Sequence, residues 1–227
     1  MNYKTEFIHF LLESGAMTFG DFTLKSGRKS PYMVNIGKAC TGASLARLGD
    51  FYARAIHEKM ELGIIPKDTT LLFGSAYKGI PLVTAASIAM SSAFGLDMGW
   101  AFNRKEAKAH GEGGVFVGSA PGAGDRVLIV DDVMTAGTAL RETIGLFGKY
   151  APEAKVVGSV IAVDRKERGR DKDFSAVAEA EKEFGIPIFS IVDIDEIIGA
   201  LKNSEHENSV AAIEEYLVEY RAGQLPK

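Results

Sequence analysis

A chain of 227 residues, 46% apolar and 25% charged, has the size and composition of a globular protein with a substantial core. Its net charge of −4 argues against broad coating of nucleic acid, and its single cysteine, Cys40, rules out an intrachain disulfide framework. No run reaches the roughly 18 apolar residues a membrane-spanning helix needs, and Glu6, His9 and Glu13 spoil a signal-peptide core, so a cytoplasmic location without membrane contact is expected.

The opening MNYKTEFIHFLLESG spaces Phe7, Ile8, Phe10 and Leu11 along one helical face. FGDFTLKSGRKSPYMVNIG follows as two extended runs around Ser26-Gly27, a hairpin-like lobe. Residues 43–60 regain a helical period through Leu45, Leu48, Phe51, Tyr52, Ala55 and Ile56, and 60–68 reads as a surface connection. The chain then alternates. TTLLF is a strand, IPLVTAASIAMSSAF a helix and MGWAF a strand, and the charged, glycine-rich stretch 103–114 comes next. VLIV is a strand, TALRETIGLFGKY a helix, VVGSVIAV a strand, DFSAVAEAEKEFG a helix and IPIFSIV a strand. Helices over about 194–202 and 207–220 close the chain before a loose tail, Arg221–Lys227.

Alternating strands and helices, with nearly continuous apolar strands, specify an α/β fold whose mostly parallel central sheet is flanked by helices on both faces. A single domain spanning 1–227 is expected, with a small N-terminal hood over about 1–40. Such sheets bind ligands beyond the carboxyl ends of their strands. Four unusual stretches follow predicted strands: GSAYKGIP, NRKEAKAHGEGG, DDVMTAGTA and DRKERGRD.

In VLIVDDVMTAGTA an oily strand runs into Asp131 and Asp132, then Val133 and Met134, and then a loop of small and hydroxylic residues, Thr135, Ala136, Gly137, Thr138 and Ala139. Side chains at adjacent strand positions point to opposite faces, so both aspartates serve one site only if the strand is ending there. A small-residue loop feeding a helix near Thr138 offers backbone N–H groups and a helix dipole to a phosphate, while carboxylates suit sugar hydroxyls or a divalent cation. A sugar phosphate fits both halves; a plain capped strand–helix turn is the competing reading. Neither G-x-x-x-x-G-K-[ST] nor G-x-G-x-x-G occurs.

VLIVDDVMTAGTA closely resembles the signature of the type I phosphoribosyltransferases. FTLKSGRKSPY, FGSAYKGIPL, FNRKEAKAHGEGG and DRKERG, in that order, resemble the orotate-using branch of that family, over most of the chain to about residue 195. The resemblance implies transfer of phosphoribose from 5-phosphoribosyl 1-diphosphate (PRPP) to orotate, yielding orotidine 5′-phosphate and diphosphate in pyrimidine biosynthesis. It implies Mg²⁺ bound mainly through substrate, with help from Asp131 and Asp132. It also implies a homodimer in which the 103–114 loop is a flexible lid reaching the other subunit's site.

The resemblance assigns PRPP to Lys25, Tyr77, Lys78, Arg104, Lys105, Lys108 and His110 together with residues 131–139. Among these, Lys105, Lys108, His110, Asp131 and Asp132 are the catalytic candidates. Orotate is assigned to Met33, Val34, Thr135 and Arg165, the last because a guanidinium pairs a carboxylate through two hydrogen bonds. Where the family often has two phenylalanines this chain has Met33-Val34, which removes aromatic stacking there. The residues alone leave open another base as acceptor, and a PRPP sensor without turnover. RKERGR is short and interrupted by Glu167 in an acidic chain, so no nucleic-acid contact is expected. Trp100 is expected in the core or a pocket wall, Cys40 as a buried or partly buried thiol, and His9, His57 and His206 in no metal site.

Overall fold

The computed structural model describes residues 2–24, 27–106, 114–169, 173–202 and 204–223. Helix α1 (Tyr3–Glu13) buries Phe7, Ile8, Phe10 and Leu11. Strands β1 (Met17–Thr23) and β2 (Lys29–Val34) pair antiparallel, Met17 opposite Val34 and Thr23 opposite Lys29, and form the expected hairpin. A short 3₁₀ turn, Ile36–Lys38, leads to α2 (Gly42–Glu61), whose start is fixed by a reciprocal Thr41–Ser44 capping box.

The remaining elements are β3 (Leu71–Gly74), α3 (Gly79–Phe94), β4 (Gly99–Asn103), β5 (Phe116–Gly118), β6 (Arg126–Val130), α4 (Thr138–Tyr150), β7 (Lys155–Asp164), α5 (Ala176–Phe184), β8 (Ile188–Asp193), α6 (Ile194–Leu201) and α7 (Glu207–Tyr220). Six strands form one sheet in the order β5-β4-β3-β6-β7-β8, parallel except for β5. The period of two explains the apolar runs. Leu72, Leu128 and Val130 join the core beneath α1, α2, α3, α6 and α7. Their neighbours Leu71, Phe73, Val127 and Ile129 join the clusters formed with α4 and α5.

Three sequence expectations change. β5 was not anticipated: it pairs antiparallel with β4, Asn103 opposite Phe116, so the chain does not cross directly from β4 to β6. The connection after α2 exposes Leu62 and Ile64 but drives Ile65 fully into the core. The start of the tail is docked. Arg221 pairs with Asp195, its backbone bridges to Glu167, and its carbonyl accepts from Arg168 Nε at 3.0 Å. Residues 224–227 lie outside the described residues.

This strand order positions the site. From β3 the chain passes through α3 to β4 on one side, then re-enters at β6 on the other. The carboxyl ends of β3 and β6 therefore flank the point where the winding reverses, where adjacent connections diverge and leave a crevice. GSAYKGIP leaves β3 and DDVMTAGTA leaves β6.

Candidate active site

The chain turns at the acidic pair through its own carboxylates. Asp131 N–H still donates to Val160 C=O at 3.0 Å, and Ala162 N–H to Asp132 C=O at 2.8 Å. Beyond that, Asp131 Oδ1 accepts from Asp132 N–H and Asp132 Oδ1 from Val133 N–H, each at 2.9 Å. The fully buried Tyr52 donates its hydroxyl to Asp131 C=O at 2.7 Å and anchors the turn to α2. Lys78 Nζ reaches across from the β3 turn to Asp132 Oδ2 at 2.6 Å. The sequence suggested Lys78 for diphosphate oxygens; in this state it neutralises the buried Asp132.

Burial, followed by the charge of Asp132, pushes the Asp131 carboxyl up to about 6, against the opposing pull of the Asp132 N–H and of Lys78. Such a carboxylate gains more than most from an approaching hydroxyl donor or cation.

The loop after the pair lies open. Val133 and Met134 are half-buried, whereas Thr135, Ala136, Thr138 and Ala139 are exposed. Gly137 adopts φ +67° and begins α4 without any side-chain cap. Helices α1, α2, α5 and α6 each have a side-chain cap, whereas α3, α4 and α7 have none, and the starts of α3 and α4 flank the crevice. At α3 the Gly79 and Ile80 N–H groups are taken by the Ser75 and Tyr77 carbonyls and Pro81 has none, so the first turn of α4 is the one whose N–H groups suit an anionic ligand. Ser75 Oγ and Thr143 Oγ1, 2.7 Å apart, tie the β3 turn to α4.

The GSAYKG turn is compact because Gly74 and Gly79 press together; a Cβ on Gly74 would overlap the Gly79 carbonyl. Its Ala76–Tyr77 peptide bond is cis, and Ala76 N–H donates to Asn103 Oδ1 at 2.9 Å. Tyr77 projects into solvent, and Lys105 Nζ lies 5.3 Å from its ring centroid. Where the charged stretch leaves β4, Arg104 N–H donates to Val115 C=O at 2.7 Å. Lys25, Lys108 and His110 lie outside the described residues.

One strand over, DRKERG alternates. Asp164 Oδ1 accepts from Lys166 N–H, and Lys166 sits at φ +49° with its ammonium on Asp193 and Asp195, at 2.7 and 2.9 Å. Arg165 and Glu167 instead turn inward. Arg165 is 7% exposed and lies 4.4 Å from the Tyr32 ring centroid, with Nη2 3.2 Å from Ser30 Oγ. Arg165 therefore meets β2 through Tyr32 and Ser30 rather than through Met33 or Val34. Strand alternation places Met33 on the opposite face from Tyr32, while Val34 packs on the core. From the sequence Tyr52 counts only toward a helical period, Glu167 only as a break in a basic run, and Ser30 not at all; the alternation in β2 hints at Ser30 and Tyr32.

Beside Lys78 and Asp132 opens a mainly apolar cavity of about 310 Å³ walled by the 36–42 connection, α2 and the start of α3. Cys40 is exposed on its wall, contrary to expectation, in the irregular connection between the 3₁₀ turn and the α2 capping box. Trp100 is 36% exposed and stacks on Phe102 at the surface of β4. His57 stacks on Phe94 with centroids 4.1 Å apart, and His206 packs on Phe19.

The pattern of the phosphoribosyl transferase domain matches residues 43–190. An orotate phosphoribosyltransferase of Bifidobacterium adolescentis is 49% identical over 224 residues, covering 95% of this chain and 96% of that protein. The chain belongs to the orotate phosphoribosyltransferase family. One from Pseudomonas putida is 48% identical over 219 residues, covering 96% of this chain and 98% of its own. The crystal structure of the Francisella tularensis orotate phosphoribosyltransferase superposes with a TM-score of 0.81 at 39% identity, covering 96% of this chain and all of that one. The sheet and its helices are thus the type I phosphoribosyltransferase fold. Among the described residues no helix is long and apolar enough to cross a membrane.

Proposed function

We propose that this pentosyltransferase moves the 5-phosphoribosyl group of PRPP to N1 of orotate, releasing orotidine 5′-phosphate and diphosphate, the step that commits orotate to UMP. The observation that carries this reading is the meeting of an acidic pair with the uncapped start of α4 at the sheet's switch point. A sugar phosphate satisfies both: its hydroxyls donate to Asp131 and Asp132, and residues 135–139 offer N–H and hydroxyl donors to its 5′-phosphate.

As the C1′–oxygen bond breaks, positive charge grows on the ribose ring and negative charge on diphosphate. Asp131 and Asp132 face the ring, while Lys78, Tyr77, Arg104 and Lys105, together with Lys25, Lys108 and His110, receive the diphosphate. Lys78 leaves Asp132 for the phosphate oxygens as the ribose hydroxyls take its place. A unit charge pair at 4 Å gains from roughly 1 kcal/mol in water to roughly 4 at an effective dielectric of 20, so lid closure favours the leaving anion by excluding water. Orientation and charge, rather than a protein nucleophile, supply the rate.

Mg²⁺ needs oxygen ligands and keeps several waters. Asp131 and Asp132 fit that demand, and the raised proton affinity of Asp131 marks a carboxylate that a nearby cation would relieve. These two carboxylates would help hold the ion, which would supply positive charge against the diphosphate.

Arg165 takes the carboxylate that distinguishes orotate from uracil, with Thr135 and the backbone of Met33 and Val34 along the pyrimidine. Residues 1–227 act as one domain with a hood over about 1–40 and a lid over about 103–114. The chain works as a homodimer whose lid crosses to the partner's site; the exposed Tyr77 on the β3 turn and Ile88 on α3 support such an interface.

Loss of orotate absorbance on adding PRPP and Mg²⁺, with uracil in parallel, tests the reaction. Consumption of orotate alone is expected; PRPP binding without orotate turnover would overturn it. Mixing Lys108→Ala chains with Asp131→Asn chains tests the crossing lid. Recovered activity is expected, and none if each lid serves its own site.

A further inference from the structure

We propose that Glu167 is a positioning residue that presets Arg165 for the substrate carboxylate, an inference that rests on the reading of Arg165 above. Glu167 Oε1 accepts from Arg165 Nε at 2.8 Å and lies 2.6 Å from Nη2. The same oxygen lies 3.4 Å from the Tyr32 hydroxyl, and Oε2 lies 3.5 Å from Arg28 Nη1. Both side chains of the pair are nearly buried, 8% exposed for Arg165 and 12% for Glu167.

Geometry separates this arrangement from an ordinary ion pair. Glu167 engages the guanidinium along its Nε–Nη2 edge, Ser30 takes Nη2, and Tyr32 lies against the planar group. Every one of these hydrogen bonds uses Nε or Nη2, so Nη1 is the end that the described residues leave to an incoming carboxylate. The charges agree. Two guanidinium groups, Arg28 and Arg165, share one carboxylate, which leaves one net positive charge in a nearly buried cluster. A substrate carboxylate neutralises it; a neutral pyrimidine does not.

The backbone that carries Glu167 is braced from outside the phosphoribosyltransferase sheet. Arg168 N–H donates to Tyr220 C=O at 2.8 Å, and Ala222 N–H to Lys166 C=O at 3.2 Å. Glu167 itself bridges to Arg221. With Lys166 tied outward to Asp193 and Asp195, the loop has little freedom to swing Glu167 off Arg165. A fixed partner holds the guanidinium in one orientation before substrate arrives, so the substrate does not bear the entropic cost of ordering it.

The test compares the full-length wild type with Glu167→Gln, Glu167→Ala, Arg165→Ala and the Arg165→Ala/Glu167→Ala double variant. KM for orotate, KM for PRPP, kcat and thermal melting are measured for each. Glu167→Ala is expected to raise the orotate KM about tenfold or more, as loss of a charge-assisted contact does, with the PRPP KM within about twofold. Glu167→Gln, which keeps an oxygen acceptor, should fall between, and the double variant should be no worse than Arg165→Ala. An unchanged or lowered orotate KM in both Glu167 variants would overturn the proposal, the lowered value meaning that Glu167 blocks Arg165. Equal rises in both KM values would do so as well, by showing a general structural role. If Arg165→Ala leaves the orotate KM unchanged, the carboxylate reading of Arg165 is itself wrong.

Discussion

Replacing Asp131 by asparagine should stabilise the protein above pH 6 while damaging its chemistry. The asparagine side chain is nearly isosteric, and its Oδ1 can still accept the Asp132 N–H now held at 2.9 Å. What disappears is a charge that burial and Asp132 resist, with a folded pKa of about 6 against the ordinary carboxylate value of about 3.9. A carboxyl whose pKa is raised on folding stabilises the native state only while protonated. That contribution is complete below about pH 4 and is lost as the pH rises through about 6. Two pKa units correspond to roughly 3 kcal/mol, and solvent relaxation around a partly exposed group reduces this to about 1–3 kcal/mol. For a chain of this size that is a rise in Tm of about 3–10 °C. Circular dichroism melts of both proteins at pH 4 and pH 8 measure it. The melting temperatures should agree at pH 4 and diverge at pH 8, with the variant higher, while its kcat/KM for PRPP falls at least tenfold. Equal melting temperatures at pH 8, or a less stable variant, would refute the assignment of Asp131 as a carboxylate strained by its surroundings.

Tyr52→Phe removes the buried hydroxyl donor to the Asp131 carbonyl. It should cost about 1–2 kcal/mol, read as a lower urea midpoint at unchanged slope. Gly137→Ala places a Cβ where the nearest atom is 3.8 Å away, so space is not the obstacle. The left-handed φ of +67° is, at about 1–2 kcal/mol, and the PRPP KM should rise severalfold as the start of α4 shifts. Gly74→Ala forces the turn bearing Tyr77 and Lys78 away from the Gly79 carbonyl. It should destabilise by about 1–3 kcal/mol and weaken PRPP binding, both measurable by thermal shift with and without PRPP.

The α/β alternation was legible because each element carries its signal within a few residues. TALRETIGLFGKY coincides with α4, and VLIV lies within β6, because a helical period and an apolar run are local patterns. β5 escaped because three residues are too few to display a period, and its place comes from pairing with β4. The same division runs through the site. Asp131, Asp132 and the small residues after them stand out as a local break in composition. That Lys78 would meet Asp132 across 54 residues, or Arg165 meet Ser30 and Tyr32 across more than 130, has no local trace.

The sequence by itself determined the strands and helices other than β5, and which loops carry charge and glycine, since backbone preference and side-chain period act between near neighbours. Only the tertiary structure decided that β3 and β6 lie side by side where the winding reverses. It alone exposed Cys40, docked Arg221 and turned Glu167 onto Arg165. Those outcomes depend on which buried groups from distant parts of the chain satisfy one another, and that is settled only when the whole core closes.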